Sequence, residues 1–115
     1  MKNYLAIFLG SRAAMDAWMQ RPDRPELEKQ GMQGWMKWAE DHKNDIAAMG
    51  SPLGKTKKVS KNGIEDTVNE MGAWTVVKAN SHEEAAKMFE NHPHFTIFPG
   101  DRVEVMECMP IPTMQ

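Results

Sequence analysis

The N-terminal segment reads Tyr-Leu-Ala-Ile-Phe-Leu at residues 4–9, an uninterrupted apolar run. A second apolar run, residues 72–79, is centred on Trp74, Val76 and Val77. Both runs are too short to span a membrane as helices, and short apolar runs of this kind are typical of buried strands. Because both faces of these strands are apolar, both faces of their sheet must be covered. We therefore predict helices on one face and a second copy of the chain on the other.

Between the two runs, the sequence predicts two helices. Ser11 is a good N-cap for the first helix, and Pro22 ends it. The second helix begins near Asp23, and Pro25 suits its first turn. Apolar and small residues recur along one face of this second helix, at Leu27, Gly31, Trp35, Trp38 and His42.

Turn and cap signals divide the rest of the chain. We predict short strands at 46–49 and 54–60, a turn at 61–63, an irregular polar segment at 64–71 and a last strand at 103–109. Ser81 and Glu84 form a capping box for a third helix, which Pro93 is expected to end. The order of elements favours a single α+β domain over residues 1–115 with the ferredoxin-like split β-α-β plan, an antiparallel sheet with helices on one face. Two such sheets in a homodimer would close into a dimeric α/β barrel.

The composition restricts the partners and the compartment. The net charge is −2, with 14 basic and 16 acidic residues, which argues against nucleic acid or a membrane as a partner. The single cysteine, Cys108, permits no internal disulfide, and with no signal-peptide pattern at the start we expect a cytoplasmic protein. Cys108 has no basic neighbour in the sequence, so we expect it to be a buried, unreactive residue.

Several motifs, in order along nearly the whole chain, resemble the YCII-related family. They are Trp35-Met36-Lys37-Trp38, the segment 52–57, the segment 81–86, His92-Pro93-His94 with Pro99-Gly100, and the closing segment 109–112. The resemblance implies a dimeric α/β barrel. It also implies a link to small aromatic compounds, since a few relatives are enzymes that act on them.

The resemblance also bears on possible active-site residues. In other members a histidine–aspartate pair has been suggested as the active site, and His94 matches the histidine that precedes the last strand. The family's Asp-Gly-Pro-Phe motif is replaced here by Gly50-Ser51-Pro52-Leu53, which lacks the acidic residue.

His92 and His94 flank Pro93 at a junction between elements, where the sequence places its only closely spaced histidines. In extended backbone both side chains would face the same side and could transfer protons near neutral pH. The alternative is structural: a helix C-cap for His92 and a packed core residue for His94. A metal site would need a third ligand from His42, Asp66 or Glu107, and no zinc spacing is present. We therefore expect neither a metal nor a cofactor.

Other candidate site residues are distant from these histidines in the sequence. They belong to the same site only if the fold brings them together. Asp66 and Asn69 lie in the polar segment, which either closes over a cavity or is a solvated connection. Trp74 and Trp35 are candidates to line a pocket for a flat ligand, although core packing also explains Trp35. The lysines of residues 55–61 are explained by a solvated edge strand.

The sequence thus leaves two functional hypotheses. In the first, a homodimer binds a small aromatic or carbonyl molecule in a barrel cavity and carries out cofactor-free acid–base chemistry. His94, His92 and Asp66 would then be catalytic, and Trp74, Trp35 and Asn69 would bind the ligand. In the second hypothesis, the same cavity serves a non-enzymatic ligand-binding or accessory protein.

Overall fold

The computed structural model describes residues 1–113, and over that range it contains two sheets and four helices. The elements in chain order are β1 (Lys2–Leu9), α1 (Arg12–Met19), α2 (Arg24–Asp41), β2 (Ile46–Pro52), β3 (Thr56–Ser60), β4 (Gly63–Thr67), β5 (Met71–Ala79), α3 (His82–Lys87), α4 (Pro93–Thr96) and β6 (Arg102–Glu107).

The main sheet has four strands in the order β2-β5-β1-β6, and every neighbouring pair is antiparallel. The strands β1 and β2, which α1 and α2 connect, are separated by β5. This is the arrangement of a split β-α-β fold, so the predicted antiparallel α+β architecture is confirmed. The remaining strands, β3 and β4, pair only with each other in a second sheet.

The register of β1 defines the two faces of the sheet. Tyr4 lies opposite Val77, and Phe8 lies opposite Ala73, so these residues share one face. That face carries the core, in which buried side chains of β1 and β5 pack against α2, α3 and the turn after α3. The fully packed members of this core are Tyr4, Ala6, Phe8, Trp38, Val77, Ala79, Ala85 and Phe89.

The opposite face of the sheet is apolar at its centre, and Asn3, Lys78 and Glu104 lie on the same face. Ile7 lies opposite Trp74, and Leu5 lies opposite both Val76 and Met106. The core residues of β1 are Tyr4, Ala6 and Phe8, which alternate with Leu5 and Ile7 and lie on the other face. The core that the helices form is therefore not on the side of Leu5 and Ile7. We call this surface, formed by Leu5, Ile7, Trp74, Val76 and Met106, the open sheet face.

Two strand predictions need correction in the β2–β5 region. The segment predicted as irregular, 64–71, instead begins within β4, because the chain reverses at the turn predicted at 61–63 and pairs β4 with β3. The strand predicted to end at Met49 continues to Pro52 through a bulge. Gly50 has φ +71 in this bulge, and a Cβ there would lie 1.8 Å from the carbonyl oxygen of Trp74, so only glycine fits.

The prediction that Pro93 ends the third helix is wrong. The helix α3 ends at Lys87, and Asn91 then adopts the left-handed conformation with φ 57. Pro93 instead begins the short helix α4, because its fixed φ suits the first helical position, where an N–H is not needed. The backbone from Pro93 is helical, so the extended geometry expected for His92 and His94 does not occur.

The two serine N-caps predicted from the sequence are confirmed. The Ser11 hydroxyl accepts from the N–H of Ala14, and the Ser81 hydroxyl accepts from that of Glu84, each at 3.1 Å. The prediction that Cys108 is buried is wrong: it directly follows the last residue of β6 and is exposed. Within residues 1–113, no helix has the length and apolar character needed to cross a membrane.

Candidate functional site

An apolar cavity of about 380 Å³ lies between α2 and the β2–β5 edge of the sheet. The strand β1 contributes Phe8, and Phe98 closes one side. The helix contributes Met32, Trp35, Met36, Trp38 and Ala39, and the two strands contribute residues 49–52 and 72–75. Ser51 and Thr75 are the polar side chains of this wall, and the hydroxyl of buried Thr75 donates to the carbonyl of Ala48.

Glycine in the middle of α2 allows Phe98 to reach the cavity. A Cβ on Gly31 would lie 2.4 Å from the Phe98 ring, and a Cβ on Gly34 would lie 3.0 Å from Pro93. Both glycines therefore permit the close approach of side chains to the helix. The helix can then pack on the segment around α4, which brings Phe98 beside Trp18 and Trp35.

His92 lies behind this cavity, and none of its surface is exposed. Its ring is surrounded by those of Trp35 at 4.5 Å, Trp38 at 4.9 Å and Phe8 at 5.0 Å between centroids. All three rings also line the cavity. His92 is thus packed against the inner side of the cavity wall and does not itself line the cavity.

The hydrogen bonds of His92 define its protonation state. Its Nδ1 accepts from the backbone N–H of His94 at 3.0 Å, which makes His92 the N-cap of α4. Its Nε2 has no hydrogen-bond partner among the described residues. Burial, with smaller contributions from His94 and His42, lowers the pKa of His92 to about 3. The neutral ring, with its proton on Nε2, is therefore the form that the fold selects.

His94 is held differently, between the end of β1 and the loop before β6. Its Nε2 donates to the carbonyl oxygen of Leu9 at 2.7 Å. A Cβ on Gly100 would lie 2.1 Å from the ring, so a glycine is needed where the loop passes it. Burial lowers the pKa of His94, while its backbone hydrogen bonds act in the opposite direction.

His94 also lines a second cavity of about 430 Å³, which the α1 side of the molecule forms. Asn69 lies in the same wall, together with Ser11, Arg12 and Asp16. The structure therefore brings two of the predicted site residues, His94 and Asn69, to one cavity. The other predicted ligand-binding residues, Trp35 and Trp74, line the first cavity.

Asp66 is not brought to either histidine. It lies on β4, its side chain is 85% exposed, and its carboxylate pairs with Lys57 of β3. The cavity that Asp66 lines is formed by the base of the β3–β4 hairpin and contains no histidine. Within residues 1–113, no three His, Cys, Asp or Glu side chains cluster in a way that would hold a metal ion.

Several residues of the first cavity were not singled out from the sequence. In the sequence, packing alone explains Phe8 and Phe98, and nothing marks either residue as part of a cavity. Met32 and Met36 lie on either side of Trp35 in α2, and the 11 methionines of the chain are the available signal. The contribution of Met49–Pro52 to the cavity wall depends on the bulge in β2, which the sequence does not specify.

Comparison with known proteins supports the fold. No protein-family profile matches the sequence, and no curated protein matches it. Among solved structures, the chain is similar to 5-chloro-2-hydroxyhydroquinone dehydrochlorinase from Burkholderia phenoliruptrix, determined in complex with 2,5-dihydroxybenzoquinone. The TM-score is 0.57, the identity is 15%, and the alignment covers 93% of each chain. At this identity the similarity establishes a shared architecture and nothing of the chemistry.

The buried neutral His92 predicts a pH dependence of stability. Because the unfolded chain binds a proton near pH 6.5 and the folded chain only near pH 3, stability falls as pH decreases between these values. The slope from this one group reaches about 1.4 kcal/mol per pH unit. In His92→Asn, which keeps an N-cap acceptor, the slope of the unfolding free energy from urea titrations should decrease by about this amount. Equal slopes in both proteins would show that His92 is not buried in this form.

Proposed function

We propose that this protein binds a flat, largely apolar small molecule in the cavity between α2 and the β2–β5 edge. The observation that carries the proposal is the wall of this cavity, in which no side chain among the described residues is ionisable. Trp35, Trp38, Phe8 and Phe98 are aromatic members of the wall on the helix side of the sheet, and the volume of about 380 Å³ is within the usual range for small-molecule sites.

The wall favours binding over acid–base catalysis. Proton transfer requires a titratable group within about 3 Å of the substrate, and among residues 1–113 the first cavity offers only the hydroxyls of Ser51 and Thr75. His92 is separated from the cavity by the rings of Trp35, Trp38 and Phe8. These rings offer stacking surfaces instead, which suit an aromatic ligand.

The outer rim of the cavity is adaptable. Met32, Met36 and Met49 line it and are about half exposed or more. Methionine side chains are flexible and polarisable, so they can adjust to ligands of different outline. The ligand class is therefore defined by flatness and apolar character more than by a particular pattern of hydrogen bonds.

The proposed working form is a homodimer joined through the open sheet face. Leu5, Ile7, Val76 and Met106 form an apolar surface there that the helices of the same chain do not cover. Contiguous apolar surfaces of this kind mark interaction sites. Trp74 belongs to both surfaces, but the rim residues Met32 and Met36 lie on α2, so a partner on the open sheet face leaves that rim accessible.

A second candidate function is acid–base catalysis in the second cavity, and one observation favours it. His94 and Asn69 share the wall of that cavity with Asp16, so a titratable nitrogen lies beside polar groups. The similar structure described above is that of a dehydrochlorinase, an enzyme that removes chloride from an aromatic substrate. Against this function, the Nε2 of His94 is already bonded to the carbonyl of Leu9.

The binding proposal is tested with 2-naphthol, a flat neutral probe whose binding should quench the fluorescence of the cavity tryptophans. We expect saturable 1:1 binding with a Kd in roughly the micromolar to millimolar range. Met36→Glu places a charge at the rim and should weaken binding about tenfold or more, because the ligand then has to desolvate a carboxylate.

The matched control is Met19→Glu, which introduces the same charge at a helical methionine of similar exposure that does not line the first cavity. It should leave the Kd unchanged. Unsaturable quenching, or equal weakening in the two variants, would remove the support for this site.

The two candidate functions are separated by a chloride-release assay with 5-chloro-2-hydroxyhydroquinone. If the protein is a binder, release in its presence proceeds at the background rate. Release above background that is lost in a folded His94→Gln variant would instead establish the catalytic function. Folding of the variant is checked by its circular dichroism spectrum and thermal transition.

A further inference from the structure

The β3–β4 hairpin, residues 56–67, projects from the sheet and is referred to as the hairpin arm. Its strands pack against each other, and neither has comparable packing against another element. Val59 is 74% exposed and Ile64 is 72% exposed, and the two are directly opposite across the hairpin. Isolated two-stranded hairpins are marginally stable in water, so an arm with an exposed apolar pair favours a further contact.

The two faces of the hairpin arm differ in chemistry. Side chains alternate along each strand, so Val59 and Ile64 share a face with the ion pair of Lys57 and Asp66. The other face carries the pair Lys58–Glu65 and the polar pairs Thr56–Thr67 and Ser60–Gly63. Only the first face combines an apolar centre with charges, and we call it the apolar face of the arm.

The charges are also divided between the strands. The strand β3 carries Lys57 and Lys58 and no acidic residue, whereas β4 carries Glu65 and Asp66 and no basic residue. On the apolar face this division places Lys57 on the β3 side and Asp66 on the β4 side, and such a face is complementary in charge to a copy of itself. When two such arms stack about a two-fold axis parallel to the strands, β3 of each lies over β4 of the other. An axis perpendicular to the strands would place like charges together, which is unfavourable.

We propose that the apolar face of the hairpin arm packs against the same face of a second copy of this chain, with β3 over the partner's β4. The contact is isologous: Val59 of each copy meets Ile64 of the other, and the charges at its edges are complementary. Its occupant is a second copy rather than another protein because the chain itself supplies both the apolar centre and the matching charges.

The size of the arm determines its role in the dimer. Five residues at about 3.3 Å per residue and two strands spaced at about 4.8 Å give a footprint of about 160 Å². A stable interface buries about 800 Å² on each partner, so the arm alone is too small to hold a dimer together. The chain enters the arm from β2 and leaves it into β5, so the arm extends the same two strands that border the open sheet face. This inference rests on the homodimer proposed above, to which the arm adds affinity and a fixed orientation.

The test compares two double variants of the arm by sedimentation equilibrium of the full-length protein. Val59→Thr with Ile64→Thr keeps β-branched side chains in both strands but removes the apolar centre. It should raise the Kd of the dimer roughly 10- to 100-fold. The control, Lys58→Thr with Glu65→Thr, alters the adjacent cross-strand pair on the opposite face and leaves the net charge unchanged. It should leave the Kd within about threefold of the wild type.

Three results would overturn the inference: a monomeric wild type, an unchanged Kd in the Val59/Ile64 variant, or equal weakening in both variants. Equal weakening would mean that the arm acts only through its own stability. Naphthol binding is measured on the same samples. The cavity is lined by residues outside the arm, so the two proposals fail separately. If the wild type does not bind naphthol, the binding function is refuted whatever the mass of the protein. If the wild type binds naphthol but fails the dimer test, only the proposal for the arm is refuted.

Discussion

The burial of His92 among aromatic rings is the contact on which the architecture around the cavity depends. It joins Phe8 of β1 to Trp35 and Trp38 of α2, and its Nδ1 caps α4. An unpartnered buried polar atom costs about 1–3 kcal/mol, which aromatic contacts of about 0.5–1.5 kcal/mol each can offset. Charging the ring would add a far larger cost, so the packing requires a neutral imidazole.

This contact connects the fold to the function. The rings that enclose His92 on one side form the inner wall of the cavity on the other. One aromatic layer therefore both packs around His92 and lines the cavity. His92 then stabilises the shape of the cavity, and His94 attaches the loop before β6 to the end of β1. Neither histidine has a carboxylate as a hydrogen-bond partner among residues 1–113. The geometry therefore favours recognition of a flat ligand.

Much of the fold could be predicted from the sequence, because its signals are local. The apolar runs of β1 and β5 and the caps at Ser11 and Ser81 depend on residues close in the chain. The site could be predicted only in part. Trp35 and Trp74 line a cavity as hypothesised, but the place of Asp66 depends on the pairing of β4 with β3, which was missed. Pro93 was interpreted as a terminator although proline also suits a first helical position, and the surroundings of His92 arise from contacts distant in sequence.

The most direct test of the central claim, that the two histidines support the cavity wall rather than exchange protons in it, is an NMR titration of the histidine rings. Resonances are assigned with single His→Gln variants and followed from pH 5 to 8. The account predicts that His92 shows no titration in this range, with a nitrogen shift typical of a neutral ring protonated on Nε2, and that the pKa of His94 lies below 6.5. A His92 that titrates near 6.5 would contradict the account, because the ring would then be open to water and the aromatic wall would not be closed.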